Sequence, residues 1–401
     1  MKFRAAILKF RLATRLATAG AAMLIACGAH GASELKIGFL STLSGPAGGI
    51  GIEIRDGFNL ALKLAGNKLG GLPTEVIYAD DTLNPDTGRQ LAERLLKRDH
   101  VNLMTGVVFS NVMLAAWPTI HEAKAFYVAP NATPTAITGK GCSPYFFSSS
   151  WPNEAHHEAA GAFAQSKGFK NAYLIAPNYP AGKDALTGFK RMYKGEIVAE
   201  VYPKLNQLDF SSELAQLRAA KPQAVYAFLP GGMGINFIKQ FNAAGLAKEV
   251  QLILPGFVSD QDVVRAVGEP MLGLFDTSHW AYDLDNDANR KFVAEFEKEY
   301  KRLPSLFAEQ GYTAALIIDQ AVRDAKGKVE DEKAFHAALM KSPERANSPR
   351  GHFKEAANGT PIQDYYVREL VKDKDGRIVN RKVSTILKQH QDFWLKDCSM
   401  K

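Results

Sequence analysis

The chain has 401 residues, 46% hydrophobic and 23% charged, enough for one large or two medium globular domains. Its formal charge of +7 sits mostly at the start: Lys2, Arg4, Lys9, Arg11 and Arg15 fall in residues 1–32 with no acid, and without those five the remainder carries +2. A nearly neutral body gives nucleic acid no electrostatic footing, and after the N-terminal region there is no apolar run of about 18 residues that would span a membrane.

The N-terminus reads as a secretion signal of residues 1–32. Basic residues come first, then an apolar run from Leu16 to Ala26, then small residues ending at Ala29-His30-Gly31-Ala32. Leu24-Ile25-Ala26-Cys27 also resembles a bacterial lipobox, which would leave Cys27 lipidated; cleavage near Ala32 is the preferred reading. Leu35 to Leu40 predicts a first strand, and Ser41 to Gly51 a Gly-rich loop that is flexible and faces a ligand with exposed N–H groups. Ile52 to Ala65 has helical spacing, with Ile54, Phe58, Leu62 and Ala65 on one stripe. Thr74 to Ala79 predicts a strand ending at Asp80-Asp81, and Asn84-Pro85-Asp86 caps a helix to about Arg98. Val101 to Phe109 reads as a buried strand. Ser110-Asn111 then serve as N-cap residues of a helix to Glu122, and Ala125 to Ala129 is a short strand ending in Pro-Asn-Ala-Thr-Pro.

Lys140 to Asn153, rich in Ser, Gly and Pro, breaks this β-α-β-α alternation and marks a crossing into a second domain. The same grammar restarts: helices over 154–166, 181–192, 211–220 and 232–244, and strands over 172–176, 197–202, 224–229 and 251–254. Gly273 to Tyr282 predicts a strand and a second crossing. Helices over 287–300, 308–324 and 332–340 follow. Gly351 to Phe353, Asp364 to Val371 and Ile378 to Ile386 read as β, with Lys374-Asp375-Gly376-Arg377 as a hairpin turn and a third crossing before it. The fold class is α/β, with parallel sheets covered by helices on both faces.

The chemistry of this pattern is binding rather than turnover. The strand ends bring Ser110, Asn111, Asn131 and Thr133 where they can meet, and short hydroxyls beside the free N–H groups of a helix N-terminus suit a carboxylate. An ordinary capped helix and polar turn is the competing reading. In an open parallel sheet the ligand crevice lies beyond the strand C-termini, where Tyr179, Phe228 and Phe257 also fall. Gly45, Gly48, Gly49 and Gly51 superficially mimic a dinucleotide fingerprint, but the spacing does not fit G-x-G-x-x-G. There is no G-x-S-x-G, H-E-x-x-H or P-loop lysine motif, so no enzyme, cofactor or metal site is expected. His156 and His157 are expected on a solvated helix surface. Cys142 and Cys398 are the thiols left after Cys27; in an oxidising compartment they either pair or stay free without a role.

Several short markers occur in order over nearly all of residues 34–386: Ile37-Gly38 with Leu43-Ser44-Gly45-Pro46, Gly106 to Ser110, Ala129-Pro130-Asn131-Ala132-Thr133, Asn178-Tyr179-Pro180-Ala181-Gly182, and Gly311-Tyr312. With these the chain resembles the leucine/isoleucine/valine-binding family, the type I periplasmic substrate-binding proteins of ABC transporters. The resemblance implies two Rossmann-like lobes joined by three crossings: residues 33–150 plus 282–350, and residues 151–281 plus 351–386, with 387–401 as a C-terminal tail. It implies closure on a small carboxylate held by Ser110, Asn131 and Thr133, with Tyr179 on the closing lobe. It also implies a periplasmic monomer that serves an ABC permease in the inner membrane; the alternative partner is a membrane receptor, to which the same closed form would report as a sensor.

Family members that bind amino acids carry an acid, usually Glu, in a Gly-Pro-Glu-Gly-like turn that pairs with the ammonium. Here the turn reads Leu254-Pro255-Gly256-Phe257-Val258, and Ile50 stands where the family has a first-loop aromatic. A buried ammonium without a carboxylate costs several kcal/mol. A cleft with Phe228, Phe257, Trp151 and Tyr179 and no acid therefore suits an aromatic or aliphatic acid lacking an α-amino group. Asp260 or Asp283 is the residue that would reverse this by supplying the acid from elsewhere.

Overall fold

A computed structural model describes residues 34–400; the secretion signal and Cys27 lie outside them. Two sheets organise the chain. The first has the order β2-β3-β1-β4-β5-β6, built from Leu35–Ser41 (β1), Lys68–Leu69 (β2), Leu72–Asp80 (β3), Leu103–Thr105 (β4), Phe126–Ala129 (β5) and Phe146–Ser148 (β6). All its neighbours run parallel except the two-residue edge strand β2. Helices cover both faces, so β1, β4, β5 and β6 are buried almost end to end and largely apolar rather than alternating.

The second sheet contains Asn171–Ile175 (β7), Glu196–Val201 (β8), Ala224–Ala227 (β9), Gln251–Pro255 (β10), Phe275–Ser278 (β11), Lys354–Glu355 (β12), Pro361–Lys372 (β13) and Ile378–His390 (β14). Its order is β12-β13-β11-β10-β9-β7-β8, with β14 on β13. β7 to β11 are parallel, whereas β13 and β14 form an antiparallel hairpin added at β11. Its turn is closed by Asp373, whose carboxylate accepts from the N–H groups of Asp375 and Arg377, with Gly376 at φ 77°.

The chain passes between the sheets three times, at 149–154, 279–286 and 346–353. The helices Asp287–Tyr300, Leu306–Asp324 and Glu332–Arg345 return to the first sheet. There the helix Leu306–Asp324 lies tightly on the helix Gly48–Leu64. A methyl on Gly57 would come within 1.8 Å of the Ala308 carbonyl, and one on Gly311 within 1.9 Å of the Ile54 carbonyl, so each glycine admits the other helix's backbone.

The lobes are in contact. Glu53 pairs with Arg265 across the gap, the Leu306 N–H donates to Asp260 at 3.0 Å, and the Thr135 hydroxyl donates to Asp184 at 3.0 Å. Under the second sheet, Arg368 is fully buried between Asp276 at 2.7 Å and Asp260 at 2.9 Å. Cys142 and Cys398 are bonded to each other, with Cα atoms 5.6 Å apart. The tail beyond β14 is thereby tied to the segment before β6 of the other sheet.

Several local expectations differ from this architecture. The strand expected over Val101 to Phe109 is only Leu103–Thr105, because Gly106 turns the chain at φ 107° and Val108 and Phe109 line the cleft instead of pairing. The Gly-rich loop is half helix: the helix starts at Gly48, and a methyl on Gly51 would meet the Thr42 carbonyl at 2.0 Å. Gly48 and Gly51 thus serve close packing, whereas Gly45 turns the loop at φ 75° and Gly49 has open space beside it. The strand expected at Gly351 to Phe353 starts three residues later, at Lys354–Glu355, because Gly351 at φ 88° is still in the crossing.

Candidate functional site

The strand C-termini of both sheets converge on one narrow cavity between the lobes. From the first lobe come Val108, Phe109 and Ser110 after β4, Asn131 and Ala132 after β5, Ile50 and Phe307. From the second come Tyr179 and Ala181 after β7, Phe228 and Pro230 after β9, Phe257 after β10, and His157. The first crossing adds Trp151 and Asn153.

The polar end is built around the helix Ser110–Glu122. Its N-cap is Phe109, with no side-chain cap, so Ser110 is the first helical residue rather than the cap the sequence predicted. That leaves the first-turn N–H groups without a side-chain acceptor and the positive end of the helix bare. The Ser110 hydroxyl accepts from Asn153 Nδ2 at 3.0 Å and keeps its own proton to donate. Asn153 is a hub. It also donates to Asp184 at 2.9 Å and accepts the Thr133 N–H at 3.1 Å. Burial pushes the Asp184 carboxyl up, opposed by its bonds from Asn153 and Thr135. Asn131 donates to the Val108 carbonyl at 2.6 Å, while its Oδ1 is enclosed without a protein partner.

Of the predicted site residues, Ser110, Asn131, Trp151, Tyr179, Phe228 and Phe257 line the cavity together. Asn111 and Thr133 do not. Asn111 is one residue further round the helix, about 100° from Ser110. The Thr133 hydroxyl is turned onto Ser148 at 2.9 Å, and its backbone orients Asn153. Asp260 caps the helix Gln261–Val267 and pairs with Arg368, and Asp283 accepts from the Lys382 N–H; neither lines the cavity. Among the described residues, no Asp, Glu, Lys or Arg side chain lines it.

The apolar wall is aromatic and continuous. Trp151 stacks on Phe257 at 5.4 Å and 12°, Phe257 meets Phe228 edge-on at 5.2 Å, and Tyr179 bridges Phe228 and Phe109 at 6.2 Å each. Such a surface offers stacking and edge contacts to a flat ring. Behind Trp151, at 4.7 Å, lies His156. It and His157 are buried, not solvated: the helix Ala155–Ser166 packs between the second sheet and its own neighbours and buries nearly every residue. His156 Nδ1 faces the Thr277 carbonyl at 2.9 Å and must donate, so its Nε2 accepts from His279 Nδ1 at 2.9 Å. His279 Nε2 then faces Glu309 at 3.4 Å. Burial holds both histidines well below their ordinary pKa, so the imidazoles are neutral, and it pushes the Glu309 carboxyl up. This row fixes the floor under Trp151.

Asn153, His157 and Phe109 escaped the sequence reading. Asn153 sits in a Ser- and Pro-rich crossing where polarity is unremarkable. His157 sits in an alanine-rich helix with little polar stripe, and that near-uniform small-residue composition was the available sign of burial on every side.

A sequence profile described as periplasmic binding protein matches residues 34–376. A Leu/Ile/Val-binding protein homolog 6 from Brucella melitensis is 30% identical over 381 residues, covering 93% of this chain and 96% of that protein. The chain is also similar to a solved ABC-transporter solute-binding protein from R. palustris in complex with benzoate. That match has 33% identity and a TM-score of 0.86, over 92% of this chain and 100% of that one. A second, from Rhodopseudomonas palustris BisB5 in complex with 3,4-dihydroxybenzoic acid, is 30% identical with a TM-score of 0.83, over 90% and 99%. Two mixed α/β lobes around a cleft, matched along nearly their whole length, establish that this chain belongs to the Leu/Ile/Val-binding family of type I periplasmic binding proteins of ABC transporters.

Proposed function

We propose that this protein is the extracytoplasmic solute-binding component of an ABC transporter and closes its lobes on a small aromatic carboxylate that lacks an amine. The observation that carries this is the cavity's composition: an unbroken aromatic wall, a serine at an uncapped helix N-terminus, and no acidic side chain to pair an ammonium. Ser110 and the first-turn N–H groups take the carboxylate, whose charge the helix dipole favours. Asn131 borders it, and Trp151, Tyr179, Phe228 and Phe257 enclose the ring. The likeness to proteins solved with benzoate and 3,4-dihydroxybenzoic acid supports this ligand class. In this reading the expected secretion signal of residues 1–32 delivers the protein to the periplasm, where it works as a monomer and serves a membrane permease. No group poised for turnover enters the reading; the protein captures and presents its ligand unchanged.

A second reading is favoured by the curated relatives: binding of leucine, isoleucine or valine. It requires an ammonium to sit unpaired against Phe257, a cost of several kcal/mol. Thermal unfolding of the mature protein with benzoate, cinnamate, leucine, isoleucine and valine separates the two. Stabilisation by the aromatic acids alone is expected, and stabilisation by leucine or valine alone overturns the proposal.

A further inference from the structure

Among the described residues His157 is the one imidazole of the cavity wall, and the carboxylate end does not use it. It is 2% exposed, in the first turn of the helix Ala155–Ser166, and its ring packs at 5.1 Å from Phe228 and 5.6 Å from Phe257. Its Nδ1 is hydrogen-bonded to the phenol of Tyr226, a fully buried residue of β9. Among the described residues Nε2 has no protein partner, and His157 lines the cavity.

The phenol decides which ring nitrogen carries the proton. His157 is the only partner of the Tyr226 hydroxyl among the described residues. If Nδ1 carried hydrogen, the phenol proton would be buried without an acceptor, which is costly. The arrangement that satisfies both groups has Tyr226 O–H donating to Nδ1 and hydrogen on Nε2. Burial, and then the neighbouring His156, hold the imidazole far below its ordinary pKa, so it stays neutral. A neutral N–H donor inside an aromatic wall has no counter-charge for a second carboxylate. It is suited to a neutral oxygen on a ring.

We propose that His157 is a specificity-determining residue: its Nε2–H hydrogen-bonds an oxygen substituent on the ring of the bound aromatic acid, so that the protein prefers hydroxybenzoates to benzoate itself. Tyr226 is its positioning residue. The assignment rests on the reading that an aromatic carboxylate occupies this cavity with its anionic end at Ser110.

Titration calorimetry of benzoate, 3-hydroxybenzoate, 4-hydroxybenzoate and 3,4-dihydroxybenzoate tests it on the wild-type mature protein, on His157→Phe and on Tyr226→Phe. The wild type is expected to bind at least one hydroxybenzoate about tenfold more tightly than benzoate, as one buried hydrogen bond provides. His157→Phe is expected to erase that ratio, whatever the change in benzoate affinity that the altered wall brings. Tyr226→Phe keeps the imidazole but frees its proton placement, and is expected to reduce the same ratio by a smaller factor. It also serves if His157→Phe does not fold. A ratio unchanged in both variants, or an equal loss for all four acids, overturns the role of His157 and leaves the aromatic-acid site standing. A wild-type protein that binds none of the four overturns both.

Discussion

Replacing Ser110 by alanine probes the anion end with little disturbance elsewhere. The hydroxyl accepts one hydrogen bond, from Asn153 at 3.0 Å, and has its own proton free. Asn153 keeps Asp184 at 2.9 Å and the Thr133 N–H at 3.1 Å, so the hub remains anchored. The folding cost is one neutral hydrogen bond, about 0.5–1.5 kcal/mol. The binding cost is larger, because a bond to a carboxylate is worth about 1.5–3 kcal/mol, or about a tenfold to 150-fold rise in Kd. The loss falls equally on benzoate and its hydroxylated relatives, since all present the same anion; this separates Ser110 from His157, whose loss is selective. Titration calorimetry on a variant of native circular dichroism measures it. A Kd for benzoate within about threefold of wild type would refute the placement of the carboxylate at Ser110.

Three other outcomes follow from the fold. Arg368→Met leaves Asp260 and Asp276 buried without their cation and is expected to cost about 3–5 kcal/mol in urea unfolding; a loss under about 1 kcal/mol would mean that water or rearrangement neutralises the pair. Cys398→Ser opens a link between positions 256 residues apart, and calorimetric unfolding should show a loss of about 2–4 kcal/mol that reducing agent reproduces in the wild type. Burial pushes the Asp81 carboxyl up to about 6 from 3.8, against a hydrogen bond from Thr42. A raised folded-state pKa favours the fold while the carboxyl is protonated. Its contribution of about 3 kcal/mol is therefore complete below about pH 4 and lost as pH rises through about 6. Asp81→Asn should flatten that slope in denaturant titrations across the window; an unaltered slope would assign it to other groups.

The lobes and their crossings were legible because parallel strands between helices leave long apolar runs with turn residues at both ends, as at Leu35–Ser41 and Ala224–Ala227. The β13–β14 hairpin was legible because Lys374-Asp375-Gly376-Arg377 spells its own turn. What escaped depends on three-dimensional neighbours. Gly106 shortens β4 through a backbone angle that composition does not encode. Thr133 turns from the cleft because Ser148, from another strand, takes its hydroxyl. His157 looks like a surface residue until the second sheet supplies Tyr226, Phe228 and Phe257 around it. The contrast at Phe257 was readable in advance, since replacing an acid by an aromatic ring changes what a buried site tolerates whatever the surrounding geometry.

This cavity is expected to take an aromatic anion and to refuse an ammonium. The direct measurement is titration calorimetry of benzoate and of leucine into the mature protein, freed of carried-over ligand by unfolding and refolding. Saturable heat is expected with benzoate-type acids and none with leucine; tight binding of leucine with no response to any aromatic acid would show that the cavity is an amino-acid site.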